Sequence, residues 1–293
     1  LRLPGTQLEL LRRLKAAVNP VVSREGELKI TPAPVKKKVA VVGGGTAGME
    51  AARVLKLRGH DVTIYEEKPE NGGLLHEAAA PEFKADIRPF MKYQMTALEK
   101  LGVPVLREKA DVAKLAAYDV VICATGSLPI IPNIPGVEKP IAVDCLSAIN
   151  GAKPVGKKIV VIGGGLVGTE TALDLAENGH SVTLVEMLPK IMKDVAVTDF
   201  LAYSERIAKT DMRILTETRL EEVLDNGARV SSKKGEETIE ADTVILALGL
   251  KAEQGLYNEL IAAGKEAYLV GDAVKAGKIF DAIHTAYRAA IRI

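Results

Sequence analysis

Short apolar runs rich in β-branched residues punctuate this chain, and the clearest of them lead straight into glycines followed by segments of helical character. Val39 to Val42 and Ile159 to Ile162 are uninterrupted, as expected of strands buried on both faces of a parallel sheet. Tyr118 to Ala124 leads into Ala124-Thr125-Gly126, and Thr243 to Leu248 into Ala247-Leu248-Gly249. A last strand over Tyr268 to Val270 precedes Gly271-Asp272 and a helix expected from Lys278 to Arg288. From Lys37 onward strand and helix alternate, which predicts an α/β fold.

A thirty-residue stretch of this pattern occurs twice, 120 residues apart and without a gap. Lys37 to Glu66 and Lys157 to Glu186 are identical at fifteen of thirty positions. In the first copy Gly43 makes the tight turn out of the strand, Gly45 lets backbone approach a pyrophosphate, and Gly48 lets the next helix pack closely. Gly163, Gly165 and Gly168 repeat the arrangement. The helix start offers unpaired N–H groups and a positive dipole end, so Ala47 and Val167 are the expected amide donors and no basic side chain is needed. Each helix ends at Gly-His before a second apolar strand that stops at an acid. Glu66 and Glu186 lie 23 residues after the first glycine, where a carboxylate can accept both hydroxyls of an adenosine ribose. The chain therefore reads as two Rossmann-like dinucleotide-binding domains, the second inserted in the first. A flavin and a nicotinamide are the simplest pair for them to hold.

Between Met212 and Ala241 the turn signals Asp225-Asn226-Gly227 and Lys233-Lys234-Gly235 separate short alternating strands, a β-meander that the first copy has no room for. The expected organisation is a linker segment over 1–36, one dinucleotide-binding domain from 37–147 with 251–293, and a second over 148–250. Leu8 to Ala17 reads as a short amphipathic helix, with Asn19-Pro20 and Thr31-Pro32-Ala33-Pro34 as breakers. A chain that starts at Leu1 with 36 residues unlike either cradle reads as a fragment of a longer protein.

Composition adds little. A length of 293 residues suits two domains, and 47% hydrophobic with 26% charged residues is ordinary. Net charge of +1 offers no general basic field for nucleic acid. No apolar run reaches the ~18 residues of a membrane span, so no membrane partner is expected. Cys123 and Cys145 belong to no motif, and with no secretory signal they point to a reducing, cytoplasmic setting. No metal site and no catalytic side chain are expected. At Asp272 a carboxylate emerging from a strand end can accept a hydrogen bond from the ribityl chain of FAD. A side chain at Gly126 or Gly249 could obstruct a dinucleotide, with an ordinary turn as the competing expectation at each.

Ala17-Val18-Asn19-Pro20, VVGGGTAGMEAARV from Val41, Glu66, Asn71-Gly72-Gly73, ICATGS from Ile122, VIGGGLVGTETA from Val161, LVGDAV and IFDAIHTAYRAA together cover nearly the whole chain. In these motifs it resembles the C-terminal flavin- and nicotinamide-binding region of the multidomain old-yellow-enzyme-like reductases, the group of 2,4-dienoyl-CoA reductase, enoate reductases and trimethylamine dehydrogenase. The resemblance implies that Gly43, Gly45, Gly48, Glu66, Gly73, Gly126, Gly271 and Asp272 line FAD, and that Gly163, Gly165, Gly168, Glu186 and Gly249 line the nicotinamide cofactor. It implies likewise that 37–147 with 251–293 is the FAD-binding domain and 148–250 the NAD(P)H-binding domain. In that family a preceding barrel carries FMN and a four-iron cluster relays electrons. Here the clustered cysteines are absent and Ala16 stands where the fourth would be, so no iron-sulfur cluster is expected in this chain. With no CxxC, disulfide chemistry is disfavoured.

Hydride transfer from nicotinamide to flavin needs no side-chain acid or base. The start of the Lys278 to Arg288 helix, around Ile283 and His284, can present positive potential to a reduced flavin; a buried structural role for His284 is the competing expectation. Glu186 would repel a 2′-phosphate, which favours NADH over NADPH, with Lys190 nearby weighing the other way. Three functions follow: an NADH-to-FAD hydride-transfer module serving an FMN/iron-sulfur domain or acceptor outside this chain; a structural ADP-binding domain; and a free-standing NADH-dependent reductase of a small acceptor or quinone.

Overall fold

The computed structural model describes residues 16–293, so most of the helix expected over residues 8–17 lies outside the described residues. In chain order the strands of the three larger sheets are β1 (Lys38–Val42), β2 (Asp61–Tyr65), β3 (Val105–Leu106), β4 (Val120–Cys123), β5 (Ala142–Asp144), β6 (Lys158–Ile162) and β7 (Ser181–Val185). They continue as β8 (Arg213–Leu215), β9 (Thr218–Leu224), β10 (Gly227–Ser232), β11 (Gly235–Glu240), β12 (Thr243–Leu246) and β13 (Ala267–Leu269). The longer helices are α1 (Thr46–Leu57), α2 (Ile87–Lys100), α3 (Leu166–Glu177), α4 (Val197–Ile207), α5 (Gly255–Ala262) and α6 (Ile279–Ala290).

Two compact units form. Unit one holds the described residues up to His76, Asp86–Leu128 and Lys251–Ile293; unit two holds Glu77–Ala85 and Pro129–Leu250. The short stretch Glu77–Ala85 thus joins unit two although the chain on both sides of it belongs to unit one.

Unit one is built on a parallel sheet of order β13-β4-β1-β2-β3. Val39, Val41, Val62, Ile64, Val120 and Ile122 are fully buried, which is why these strands read as continuous apolar runs. On one face Ala51, Val54 and Leu55 of α1 meet Ala286, Tyr287 and Ala290 of α6 in a single core. Alanines recurring four apart, 47 and 51 on α1 and 282, 286 and 290 on α6, keep side chains short along one stripe of each helix, so the two can pack closely. α1 ends because Gly59 takes φ +96, letting Gly59 N–H reach Lys56 O and His60 N–H reach Leu55 O.

Unit two repeats the plan, with the order β5-β12-β6-β7-β8. Registers match copy for copy: Lys38 pairs with Asp61 and Val42 with Tyr65, as Lys158 pairs with Ser181 and Ile162 with Val185. Strands β9, β10 and β11 form the expected antiparallel meander, with a bulge between Leu220 and Glu222. Its apolar face, Leu220, Val223, Ala228, Val230 and Ile239, is buried in one core with Val160 and Val244 of the parallel sheet.

Candidate functional site

Both glycine turns have the same geometry. Gly43 takes φ +105, and a Cβ added there would lie 2.2 Å from Ala124 O; Gly163 takes φ +108, with Ala247 O at 2.3 Å. A Cβ at Gly48 would sit 1.8 Å from Gly43 O, and one at Gly168 would sit 1.9 Å from Gly163 O. These four glycines allow backbone to touch backbone. Gly45 and Gly165 differ: the nearest atom to a Cβ at Gly45 is 3.8 Å away, and none lies within 4 Å at Gly165. Space is left where a pyrophosphate would approach.

Helices α1 and α3 begin at Gly45 and Gly165 with no side-chain cap and no acid in the first turn. Their hydrogen-bond ladders start at Met49 N–H to Gly45 O and Thr169 N–H to Gly165 O, each 2.9 Å. The amides of Thr46, Ala47 and Gly48, and of Leu166, Val167 and Gly168, precede the ladder and have no intrahelical acceptor. Such groups attract anions, so each cradle fits a dinucleotide.

The acids close each cradle in the same way. Glu66 is 7% exposed, and its oxygens accept Gly44 N–H at 2.6 Å and Lys68 N–H at 2.8 Å. Glu186 is 8% exposed and accepts Gly164 N–H at 2.6 Å and Leu188 N–H at 2.7 Å. A carboxylate has about four lone-pair directions, so each acid keeps acceptor capacity for ribose hydroxyls. The middle glycines are therefore part of the site although the motif reading passes over them. A Cβ at Gly44 would meet Asn71 Oδ1 at 2.5 Å, and one at Gly164 would meet Glu186 Cβ at 2.9 Å. Their signal was present in the sequence as an unbroken triple glycine in both copies.

Around the first cradle, Gly72 N–H donates to Gly44 O at 2.9 Å and Gly73 takes φ +55 with its Cβ position 3.0 Å from Gly45 Cα. Arg107 supports the same loop through Asn71 Oδ1 at 2.9 Å. Gly126 takes φ +80 and faces open space. Gly249, at φ +93, has only Ile130 Cδ1 nearby at 3.8 Å. The Asp272 carboxylate accepts Ser127 Oγ–H at 3.0 Å and Gly277 N–H at 3.1 Å. Burial pushes its pKa up, against those two hydrogen bonds. Gly271 N–H donates to Thr285 Oγ1 at 2.8 Å, which fixes the turn against α6.

Ile283 and His284 do not stand at the start of their helix, as expected from the sequence. α6 begins at Ile279, so both lie beyond its first turn; Ile283 is 1% and His284 5% exposed. The His284 ring stacks on Phe280 with centroids 3.8 Å apart, and its Nε2 donates to Ala16 O at 2.9 Å. A carbonyl only accepts, which places the proton on Nε2. The amides that precede the helical ladder, which starts at Ala282 N–H to Lys278 O, are those of the turn at Ile279–Asp281 instead.

The repeat also carries a second pair of equivalent acids. Glu50 on α1 is held by Arg53 of its own helix at 2.8 Å. Its counterpart Glu170 on α3, 7% exposed, is bound by Lys84 Nζ at 2.7 Å and by the Tyr203 hydroxyl. The repeat marks both positions, but the partner of Glu170 comes from 86 residues away in sequence.

The family profile described as "Pyridine nucleotide-disulphide oxidoreductase" matches residues 37–275. An NADH oxidase of Thermoanaerobacter brockii is 40% identical over 96% of this chain, which spans 45% of that protein. A cinnamate reductase of Clostridium sporogenes is 36% identical over 98% of this chain and is spanned over 44% of its own length. Among solved structures, a 2-naphthoyl-CoA reductase in complex with 2-naphthoyl-CoA superposes with a TM-score of 0.91 at 34% identity, covering 95% of this chain and 43% of that one. The chain thus spans less than half the length of these relatives, in keeping with its resemblance to the multidomain old-yellow-enzyme-like reductases. No helix among the described residues is long and apolar enough to cross a membrane. With two cradles of one design and a profile that runs through both of them, the chain belongs to the pyridine nucleotide-disulphide oxidoreductase family, whose members bind FAD and NAD(P)H.

Proposed function

We propose that this chain is a hydride-transfer module that passes reducing equivalents from NADH to FAD and on to an FMN- and iron-sulfur-bearing domain or another acceptor outside it. The observation that carries this reading is the duplicated carboxylate-to-glycine contact, Glu66 on Gly44 and Glu186 on Gly164. The nicotinamide supplies a hydride and the flavin accepts it, which asks for no protein acid or base.

The chain's residues bind and orient. Ala47 and Gly48 in unit one, and Val167 and Gly168 in unit two, offer amides to the two pyrophosphates. Glu66 receives the adenosine ribose of FAD and Glu186 that of NADH. The Glu186 carboxylate disfavours a 2′-phosphate at that place, and Lys190 is exposed without a salt bridge among the described residues. Gly73 and Gly126 keep backbone open along the flavin, and Asp272 retains lone pairs for its ribityl chain. Two free, buried thiols suit a reducing cytoplasmic setting.

A second reading is a structural ADP-binding domain. It is favoured by the Asp272 carboxylate, whose two oxygens each already have a donor without any polyol. Anaerobic titration of FAD-reconstituted protein with NADH separates the two. Bleaching of the flavin band is the expected result; binding of ADP with no retention of FAD would overturn the proposal.

A further inference from the structure

We propose that residues 16–36 act as a strap that sets where α6 stands in unit one, and that His284 and Tyr287, which hold the strap, are positioning residues for the flavin half of FAD. This rests on the FAD reading above and extends it to residues that the glycine motifs do not contain.

Residues 16–36 carry no helix or strand, so no backbone ladder fixes their register. Side chains and single backbone bonds do so instead. Leu28 is buried in one core with Val54 and Leu55 of α1 and Ala286 and Ala290 of α6, and Val21 and Ile30 pack on that core. The Tyr287 hydroxyl donates to Leu28 O, and His284 Nε2 donates to Ala16 O at 2.9 Å. Further along, Arg58 Nη1 donates to Thr31 O at 3.1 Å, Ala33 N–H to Arg58 O at 2.9 Å, and Lys37 N–H to His60 Nδ1 at 3.2 Å. The strap is thus tied to α6 in its first half and to the end of α1 in its second.

The two tethers on α6 lie three residues apart, on one face of the helix, and both are buried. An apolar side chain at either place would bury similar area without selecting a carbonyl. A buried donor needs an acceptor, so each tether picks one strap carbonyl and one register.

The same helix governs the turn proposed to meet the ribityl chain. Gly271 N–H donates to Oγ1 of Thr285, which stands between the two tethers in sequence. A Cβ added at Gly271 would lie 2.6 Å from Ala47 Cβ and 3.8 Å from Ala282 Cα, so the Gly271–Asp272 turn is wedged between the start of α1 and α6. Asp272 also accepts from Gly277 N–H, beside the Lys278 that caps α6. His284 is six residues from Lys278, or about 9 Å along a helix, so a shift imposed at the tether reaches the turn through one rigid element.

Linkage lets the idea be tested from both ends: if the strap favours FAD, bound FAD must hold the strap by the same factor. Trypsin cleaves after Lys29, which is exposed in the strap. In the full chain FAD should slow that cut by about fivefold or more, the worth of roughly one buried hydrogen bond, while ADP, lacking the flavin half, should slow it by less than about twofold. Tyr287→Phe and His284→Leu should each weaken FAD by about fivefold or more in a flavin fluorescence titration, and His284→Gln, which keeps an N–H near the place of Nε2, should stay within about twofold of the parent. Binding of NAD+ to unit two should be unmoved in all three, which checks that they fold. FAD that binds the parent without slowing the cut after Lys29 would overturn the strap's role alone. So would Tyr287→Phe and His284→Leu proteins that melt lower yet bind FAD as the parent does, since the tethers would then only stabilise the fold. If the parent retains no FAD, the FAD reading falls and this inference with it.

Discussion

Replacing Glu186 by glutamine tests the site before any ligand is added. Glu186 is almost fully buried, and its two oxygens accept from two different amides at 2.6 and 2.7 Å, lengths typical of charge-assisted bonds. Glutamine offers one oxygen, so its NH2 group must face either Gly164 N–H or Leu188 N–H, donor against donor. One charge-assisted bond is lost at about 1.5–3 kcal/mol, and a buried amide is left without an acceptor at roughly 1–3 kcal/mol. These terms overlap, so a net loss of about 3 kcal/mol is expected in unit two. That corresponds to roughly 10 °C in the melting temperature of a domain this size. Differential scanning calorimetry of ligand-free protein measures it, and Glu66→Gln should produce the same shift in unit one. A Glu186→Gln protein that melts within about 2 °C of the parent would refute the reasoning, since the carboxylate would then not be holding the glycine turn.

Gly168→Ala places a Cβ 1.9 Å from Gly163 O, so the start of α3 must retreat by over ~1 Å; a stability loss of about 1–3 kcal/mol with weakened dinucleotide binding is expected by denaturant melts and titration. Gly179→Ala meets no atom within 4 Å but holds φ +83, so it should cost only about 1 kcal/mol and leave binding alone. Burial pushes the thiols of Cys123 and Cys145 up to about 12 and about 11, so neither should react with iodoacetamide at pH 8 until the protein is unfolded; stoichiometric labelling of native protein would contradict this. Burial, helped by Arg58 and Lys37, lowers the pKa of His60 below its ordinary 6.5. The unfolded chain then binds a proton that the folded one resists. His60 stabilises fully above about pH 6.5, and that stability declines as pH falls towards the folded value. His60→Gln should flatten the fall in melting temperature between pH 7.5 and 5.5.

How much of this was legible depended on whether a residue's partner was local. The glycine turns, the helices behind them and the acids at 66 and 186 follow from period and spacing, because each contact closes within one strand-helix-strand unit. Strand β5 at the edge of the second sheet carried too short an apolar run to be read, and it finds its place only by pairing with β12, some 100 residues later. Likewise the assignment of Glu77–Ala85 to unit two rests on contacts such as Lys84 with Glu170 and Glu77 with Asn150, which have no spacing rule. The position of His284 was misread by a few residues: the helix start was correctly expected near Lys278, but only the amides of its first turn precede the hydrogen-bond ladder. His60 and His180 occupy equivalent places in the repeat yet differ in chemistry. His60 Nδ1 accepts from Lys37 N–H, whereas His180 Nδ1 donates to Gly156 O.

The two sheets share one strand order but fill the outer seat from opposite sides of their own copy of the repeat. In unit two that seat is taken by β5, which precedes the second copy of the repeat; in unit one it is taken by β13, which follows every other strand. Helix α6, which completes the core beneath α1, comes later still. On the ribosome the usual order would therefore reverse. Unit two has every strand of its parallel sheet and meander once residue 246 has emerged, while unit one, begun first, must wait for residues 267–290 with Val39, Val41 and the α1 face uncovered. Truncation near residue 255 should then leave a folded unit two beside an unfinished unit one, a candidate for chaperone capture during synthesis.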